Sequence, residues 1–228
     1  MDMTFFAEMA WKSALIAGAA LGLAYALRSR APGDRALVLR IGVAMLLALP
    51  LIASLLPALE IVAFPAPEAP PSFAALTPEI QRAILTAAPA AVPEPTIWDD
   101  PTPLVILAYL GGLAMVGSRL LAGLFTLARW TRAAREVTCP EWLNAFDRVR
   151  WVAADAEKVR LLVSDDVHSP LSWGWRRPVI LIDPDTLALP EDAEAILAHE
   201  AAHIARRDWP VLLLTRIAAS LFWFNPLV

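Results

Sequence analysis

The chain is poor in several residue types that catalysis and binding often use. Its 228 residues include one cysteine, Cys139, and three histidines, His168, His199 and His203. A single thiol excludes an intrachain disulfide and any metal site built on several cysteines. Charge is scarce as well: 18% of the residues are Asp, Glu, Lys or Arg, against about 25% in an ordinary soluble domain. The net charge of −4 is too mild to name a partner. No basic stripe with interleaved aromatics occurs, which argues against direct nucleic-acid binding. The N-terminus, Met1-Asp2-Met3, lacks a positively charged n-region, and no convincing cleavage site follows the first apolar run. That run is read as a retained span, not a signal peptide. No internal repeat is visible.

What is abundant is apolar. Hydrophobic residues make up 58% of the chain, with mean hydropathy +0.55. They fall in three long blocks, about residues 5–27, 36–59 and 103–127, each close to the ~20 residues that cross a bilayer as a helix. Arg28, Arg30, Arg35 and Arg40 flank the turn between the first two blocks, and Arg129, Arg132 and Arg135 follow the third. The loop between the second and third carries Arg82 against six acidic residues. The positive-inside rule then places the N-terminus and that loop outside, and the chain after Arg129 in the cytoplasm. Prolines punctuate the loop at 60–101 and oppose long helices or ladders. Thr77 to Thr86 is the exception, a short helix with Pro78 at its first position. Composition leaves open whether the loop tethers or senses a ligand. Glu8 and Lys12 are spaced to pair on one helix face. Arg119, deep in the third block, either snorkels or faces the bundle, and the cations that follow it favour snorkelling.

The sequence therefore divides into a transmembrane region (1–128), a globular part (129–208) and a terminal apolar segment (209–228). In the globular part, Pro140–Val152 reads as an amphipathic helix with Trp142, Phe146 and Val149 on one side. Val159–Val163 reads as a short strand, followed by a turn-rich stretch from Ser164 to Gly174. Pro178–Ile182 is a second strand whose leading proline suits a strand start or an edge. Pro184 and Pro190 bracket a connection into the next helix. That helix begins near Pro190, with Glu191 and Asp192 at its positive end, and nothing interrupts it before Pro210.

This helix contains His199-Glu200-Ala201-Ala202-His203. Histidines four apart lie on one face, so both imidazoles can reach one ion, and zinc is the expected cofactor. Glu200 can reach a water held by that ion without being a ligand itself, and acts as general base and then proton donor in peptide hydrolysis. The bland alternative is a pair of surface histidines on an amphipathic helix. Asp208 reads either as a carboxylate orienting a ligating histidine or as a helix-end charge beside Arg206 and Arg207. His168 reads as an aid to transition-state stabilisation or as a solvated loop residue. Trp173 and Trp175 read as interfacial anchors or core. If Val179–Ile182 is an edge strand beside the histidine helix, it could hold an extended substrate by β-augmentation.

The chain resembles the membrane metallopeptidases of the BlaR/MecR antirepressor type. The resemblance rests on Ser169-Pro170, Gly174, Pro178-Val179-Ile180-Leu181, the run from His199 to Asp208, and Trp223-Phe224-Asn225-Pro226-Leu227-Val228. It implies a gluzincin-like zinc site that cleaves a cytoplasmic protein, often a transcriptional repressor, after a signal reaches the extracytoplasmic side. It also implies a third zinc ligand, a glutamate a few dozen residues after the histidine helix, which is expected beyond Val228. Asp165, Asp166, Asp183 and His168 are poorer substitutes. For such a glutamate to return to the metal, 209–228 should be a partly inserted, re-entrant arm; a full fourth span would carry the chain away.

The resulting expectation is a membrane α-helical bundle, three transmembrane helices plus a re-entrant or fourth helix, carrying a small cytoplasmic α+β metallopeptidase domain. It would be a multi-pass protein of the bacterial cytoplasmic membrane. Its partners would be the lipid bilayer and a cytoplasmic protein substrate, with no nucleic acid; a homodimer is compatible with this reading. The alternatives are a membrane quality-control protease and a catalytically inactive transducer.

Overall fold

Three long apolar helices dominate the computed structural model, which describes residues 3–55, 77–86, 100–149 and 156–228. They are α1 (Met3–Ala26), α2 (Pro32–Leu55) and α4 (Thr102–Ala133), each long and apolar enough to cross a membrane. All three coincide with the expected spans. α2 starts four residues earlier than Ala36, at Pro32, because a proline fits a first helical turn. α4 runs on past Leu127 to Ala133, through the expected boundary at residue 128. Between them, α3 (Pro78–Thr86) matches the short loop helix, with the Thr77 carbonyl accepting from Gln81 N–H at 3.0 Å. Lys12 pairs with Glu8 one turn away, and Arg119 is exposed on α4. Most of the proline-rich loop, the expected end of the second span at 56–59 and the expected end of the amphipathic helix at 150–152 lie outside the described residues.

After α4 the chain forms a four-stranded sheet in the order β1-β2-β4-β3. The strands are β1 (Arg135–Glu136), β2 (Arg160–Val163), β3 (Leu171–Trp173) and β4 (Val179–Ile182). β2 and β4 pair in parallel, while β1 and β3 close the two edges antiparallel. All four residues of β4 are buried, as befits a strand covered on both faces. Val179–Ile182 is thus an interior strand, which corrects the edge-strand expectation. The edge belongs to β3, inside the stretch expected to be turns.

One sheet face, with Leu161, Val163, Ile180 and Ile182, packs on α5 (Pro140–Val149) and on α7 (Ala193–Ala205). α5 buries Trp142, Ala145, Phe146 and Val149, a stripe at helical spacing. The Trp142 indole donates to the Leu187 carbonyl at 3.0 Å, at the end of the short helix α6 (Pro184–Leu187). The other face, with Leu162, Val179 and Leu181, packs against Trp130 and Ala134 at the end of α4 and against Trp173.

The histidine helix does not run unbroken to Pro210. α7 ends at Ala205, Arg207 adopts a left-handed backbone (φ 55°, ψ 42°), and α8 (Asp208–Leu221) departs from there. Pro210 falls in the first turn of α8, where a missing N–H costs little. α8 lies against both α2 and α4. Its 14 residues extend about 21 Å, short of a ~30 Å hydrocarbon layer. The chain then turns, and Asn225 donates to Ser13 Oγ near the middle of α1 at 3.0 Å.

Candidate active site

α7 turns Ala193, Leu197, Glu200 and Ala201 inward, while His199 is exposed and His203 half-buried. The two imidazoles are one turn apart, with ring centroids 4.8 Å from each other and planes at 81°. Their Nε2 atoms converge to 3.2 Å. Two nitrogens bound at zinc-like distances to one tetrahedral ion stand about 3.3 Å apart, so this pair fits a shared metal.

His203 is braced from behind. Its Nδ1 lies 2.7 Å from Asp208 Oδ2, and the same oxygen accepts from Arg206 Nε at 3.1 Å. Oδ1 of Asp208 accepts from Arg40 Nη2 of α2, also at 3.1 Å. Burial pushes the Asp208 carboxyl up, but the hydrogen bonds from His203 and Arg206 and their charge outweigh it, and the pKa falls below the usual carboxylate range. Arg206 Nη2 also lies 3.1 Å from His203 Nδ1, so this far nitrogen is held from two sides while Nε2 is aimed at His199. The left-handed Arg207 makes this possible: had the helix continued, Asp208 would have been carried past His203 instead of folding back to it. A non-glycine residue at positive φ costs about 1–3 kcal/mol and is found where a site requires it.

Glu200 is buried on the inner side of α7. It opens onto two adjoining cavities. The larger, about 820 Å³, is lined by Glu200, His203, Asp208, β3 and inner residues of α1, α2 and α8. The smaller, about 480 Å³, is lined by His199, Glu200, Ile196 and Asp192. Pro170, just before β3, borders both. The result is a cleft that crosses the histidine face of α7, with edge strand β3 along one wall.

The sequence profile of the BlaR1 peptidase M56 family matches residues 7–228. The chain belongs to that family. No curated protein compared with it matches. As an M56 chain it is similar to membrane peptidases over the spans as well as the histidine helix, since the match begins within α1.

Other expected residues fare differently. Among the described residues, no third His, Cys, Asp or Glu joins the histidine pair. His168 is exposed in the turn after β2 and borders neither cavity. Asp183 Oδ1 caps α6 by accepting from Thr186 N–H at 2.9 Å while Oδ2 is buried without a partner, and Asp165 pairs with Arg135 on the surface; neither lines the cavities beside the histidines. Trp173 donates to Thr131 Oγ1 at 2.9 Å and stacks edge-on with Trp209, tying β3 to α4 and α8 while also lining the larger cavity. Sequence reasoning missed Arg40, counted as a charge flanking a loop. Its signal was available: a cation inside an apolar span calls for a partner by default.

Proposed function

We propose that this chain is an integral-membrane zinc endopeptidase that cleaves a cytoplasmic protein, a transcriptional repressor being the expected class. The observation that carries this reading is the convergence of the His199 and His203 Nε2 atoms at 3.2 Å, with the buried Glu200 lining the same cleft. His199 and His203 would hold the zinc, together with the third ligand that the family resemblance implies. A zinc ion there supplies Lewis acidity to the scissile carbonyl and to the attacking water. Glu200 takes a proton from that water and delivers it to the leaving amine, and its burial keeps it close to the reacting atoms. The free edge of β3 offers backbone groups to an extended substrate lying in the cleft, the role the sequence had suggested for Val179–Ile182. The arginines after α1 and α4 support a cytoplasmic position for this cleft and an outer N-terminus.

The test uses the full-length protein in detergent. Wild type and Glu200→Gln are each expected to hold one zinc per chain, while the substitution lowers peptide-bond cleavage by about 10²–10⁴-fold. His199→Ala and His203→Ala should lose the metal. Zinc content unaffected by either histidine substitution, or full cleavage by Glu200→Gln, overturns the reading.

A further inference from the structure

Both oxygens of the Asp208 carboxylate have partners: Oδ2 meets His203 and Arg206 at the end of α7, and Oδ1 meets Arg40 on α2. Arg40 lies eight residues into α2, a helix of membrane-crossing length, and 168 positions from Asp208 in sequence. Arg206 and Asp208 are two residues apart and move together. Arg40 does not. Among the described residues it is the one hydrogen-bond partner of Asp208 from outside the α7–α8 corner. α2 in turn is packed against α1 so closely that a Cβ added at Gly42 would fall 2.7 Å from that of Ala20. The α1–α2 pair therefore reaches the histidine helix through a guanidinium–carboxylate–imidazole chain of 3.1 Å and 2.7 Å steps.

We infer that Arg40 is a positioning residue for the metal centre: from span α2 it fixes Asp208, and thereby the orientation of His203. This rests on the zinc reading above. Arg40 lines the larger cavity, but it reaches the metal position only through Asp208. Partners of this kind matter because a ligating imidazole needs its far nitrogen held to present the near one correctly. The consequence is a built-in connection between the spans and the site. Any shift of α2 against the α7–α8 corner lengthens the Arg40–Asp208 bond and loosens His203, with no loop needing to enter the cleft.

The experiment measures zinc affinity of full-length protein in nanodiscs by chelator competition, with zinc alone as the probe. Asp208→Asn is expected to weaken zinc about 10–100-fold, the usual cost of losing such a partner. Arg40→Gln should weaken it by a smaller factor, roughly three- to tenfold, because Arg206 still holds Asp208. The double variant should bind no more weakly than Asp208→Asn alone, since the two act in series. Arg40→Lys, which keeps one donor and the charge, should recover most of the loss. Thermal melting of the metal-free proteins should be alike for Arg40→Gln and Arg40→Lys, which separates positioning from folding. If Asp208→Asn weakens zinc and Arg40→Gln does not, the inference is wrong and the zinc reading survives. Losses that add in the double variant, or Arg40→Lys as weak as Arg40→Gln, also overturn it. If zinc binding is indifferent to His203→Ala as well, the zinc reading itself has failed.

Discussion

The sheet domain and the helical bundle are held together by different means. Around the sheet, apolar side chains are packed on both faces, and Leu162, Ile180, Leu181, Ile182, Trp142 and Leu197 are all at most 1% exposed. In the bundle the large apolar residues point the other way: Leu15, Leu51, Leu107, Leu121 and Phe125 are among the most exposed of the chain. Its interior holds a smaller apolar cluster around Met9, Leu46, Leu49 and Phe222, supplemented by small residues and polar bonds. Asn225 donates to Ser13, the Tyr109 hydroxyl to the Leu221 carbonyl at 3.2 Å, and the Trp223 indole to the Tyr109 carbonyl at 3.2 Å. In water, removing apolar surface drives packing; within a bilayer a leucine gains little by leaving lipid, so close backbone approach and hydrogen bonds specify the arrangement. The two regimes meet at Asp208, the first residue of α8.

The largest effect that would expose this difference lies in the sheet. Leu181→Ala, with no exposed surface and neighbours on both flanking strands, should cost 2–5 kcal/mol, or about that, in detergent unfolding monitored by tryptophan fluorescence. A loss below about 1 kcal/mol would mean the sheet is not the packed core described. Next comes Gly112 on α4, where an added Cβ would lie 2.1 Å from the Trp223 ring. The ring cannot yield without breaking its bond to Tyr109. Gly112→Leu should displace the end of α8 and cost about 1–3 kcal/mol, with faster thiol labelling of a cysteine placed at Leu227. Unchanged labelling would show that α8 is not seated through this contact.

How much of this was legible in the sequence follows the same division. Spans could be read because a bilayer demands a run of apolar residues whatever the neighbours. The histidine pair could be read because four-residue spacing fixes geometry within one helix. What escaped depended on chain reversals and distant partners. Leu171-Ser172-Trp173 is too short to announce a strand, so the edge was assigned to β4, whose Val-Ile-Leu-Ile run marks an interior strand. The break at Arg207 falls on neither a glycine nor a proline; Pro210, three residues on, cannot donate to the Arg206 carbonyl and forces a new helix start, and Asp208 is held back toward His203. The Arg40–Asp208 bond joins residues whose pairing no local pattern encodes.

A smaller effect comes from Asp183, which caps α6 and is buried at the end of β4. Burial pushes its carboxyl up, but the side-chain and backbone hydrogen bonds at Thr186 outweigh this and lower its pKa below the ordinary value. The ionised form is therefore favoured by folding. Its contribution is fully present above the unfolded carboxylate range, near pH 4 or so, and is lost as pH falls through the lowered folded value. Asp183→Ala should cost about 1 kcal/mol at neutral pH, and the gap from wild type should close on acidification. A gap that widens toward low pH would contradict the cap.

The smallest effect is the most direct challenge to the contrast. Leu121 on α4 is 67% exposed in a helix of membrane-crossing length. If the bundle followed the rule of the sheet domain, truncating a leucine would cost a substantial part of what Leu181→Ala costs. If lipid is the solvent for this face, Leu121→Ala removes only contacts with acyl chains, which close around the smaller side chain without leaving a cavity. The expected change in unfolding free energy is within about 0.5 kcal/mol. A loss comparable to the Leu181 variant would mean that this face of α4 is covered by protein and not by lipid, and that the exposed leucines mark an interface between helices.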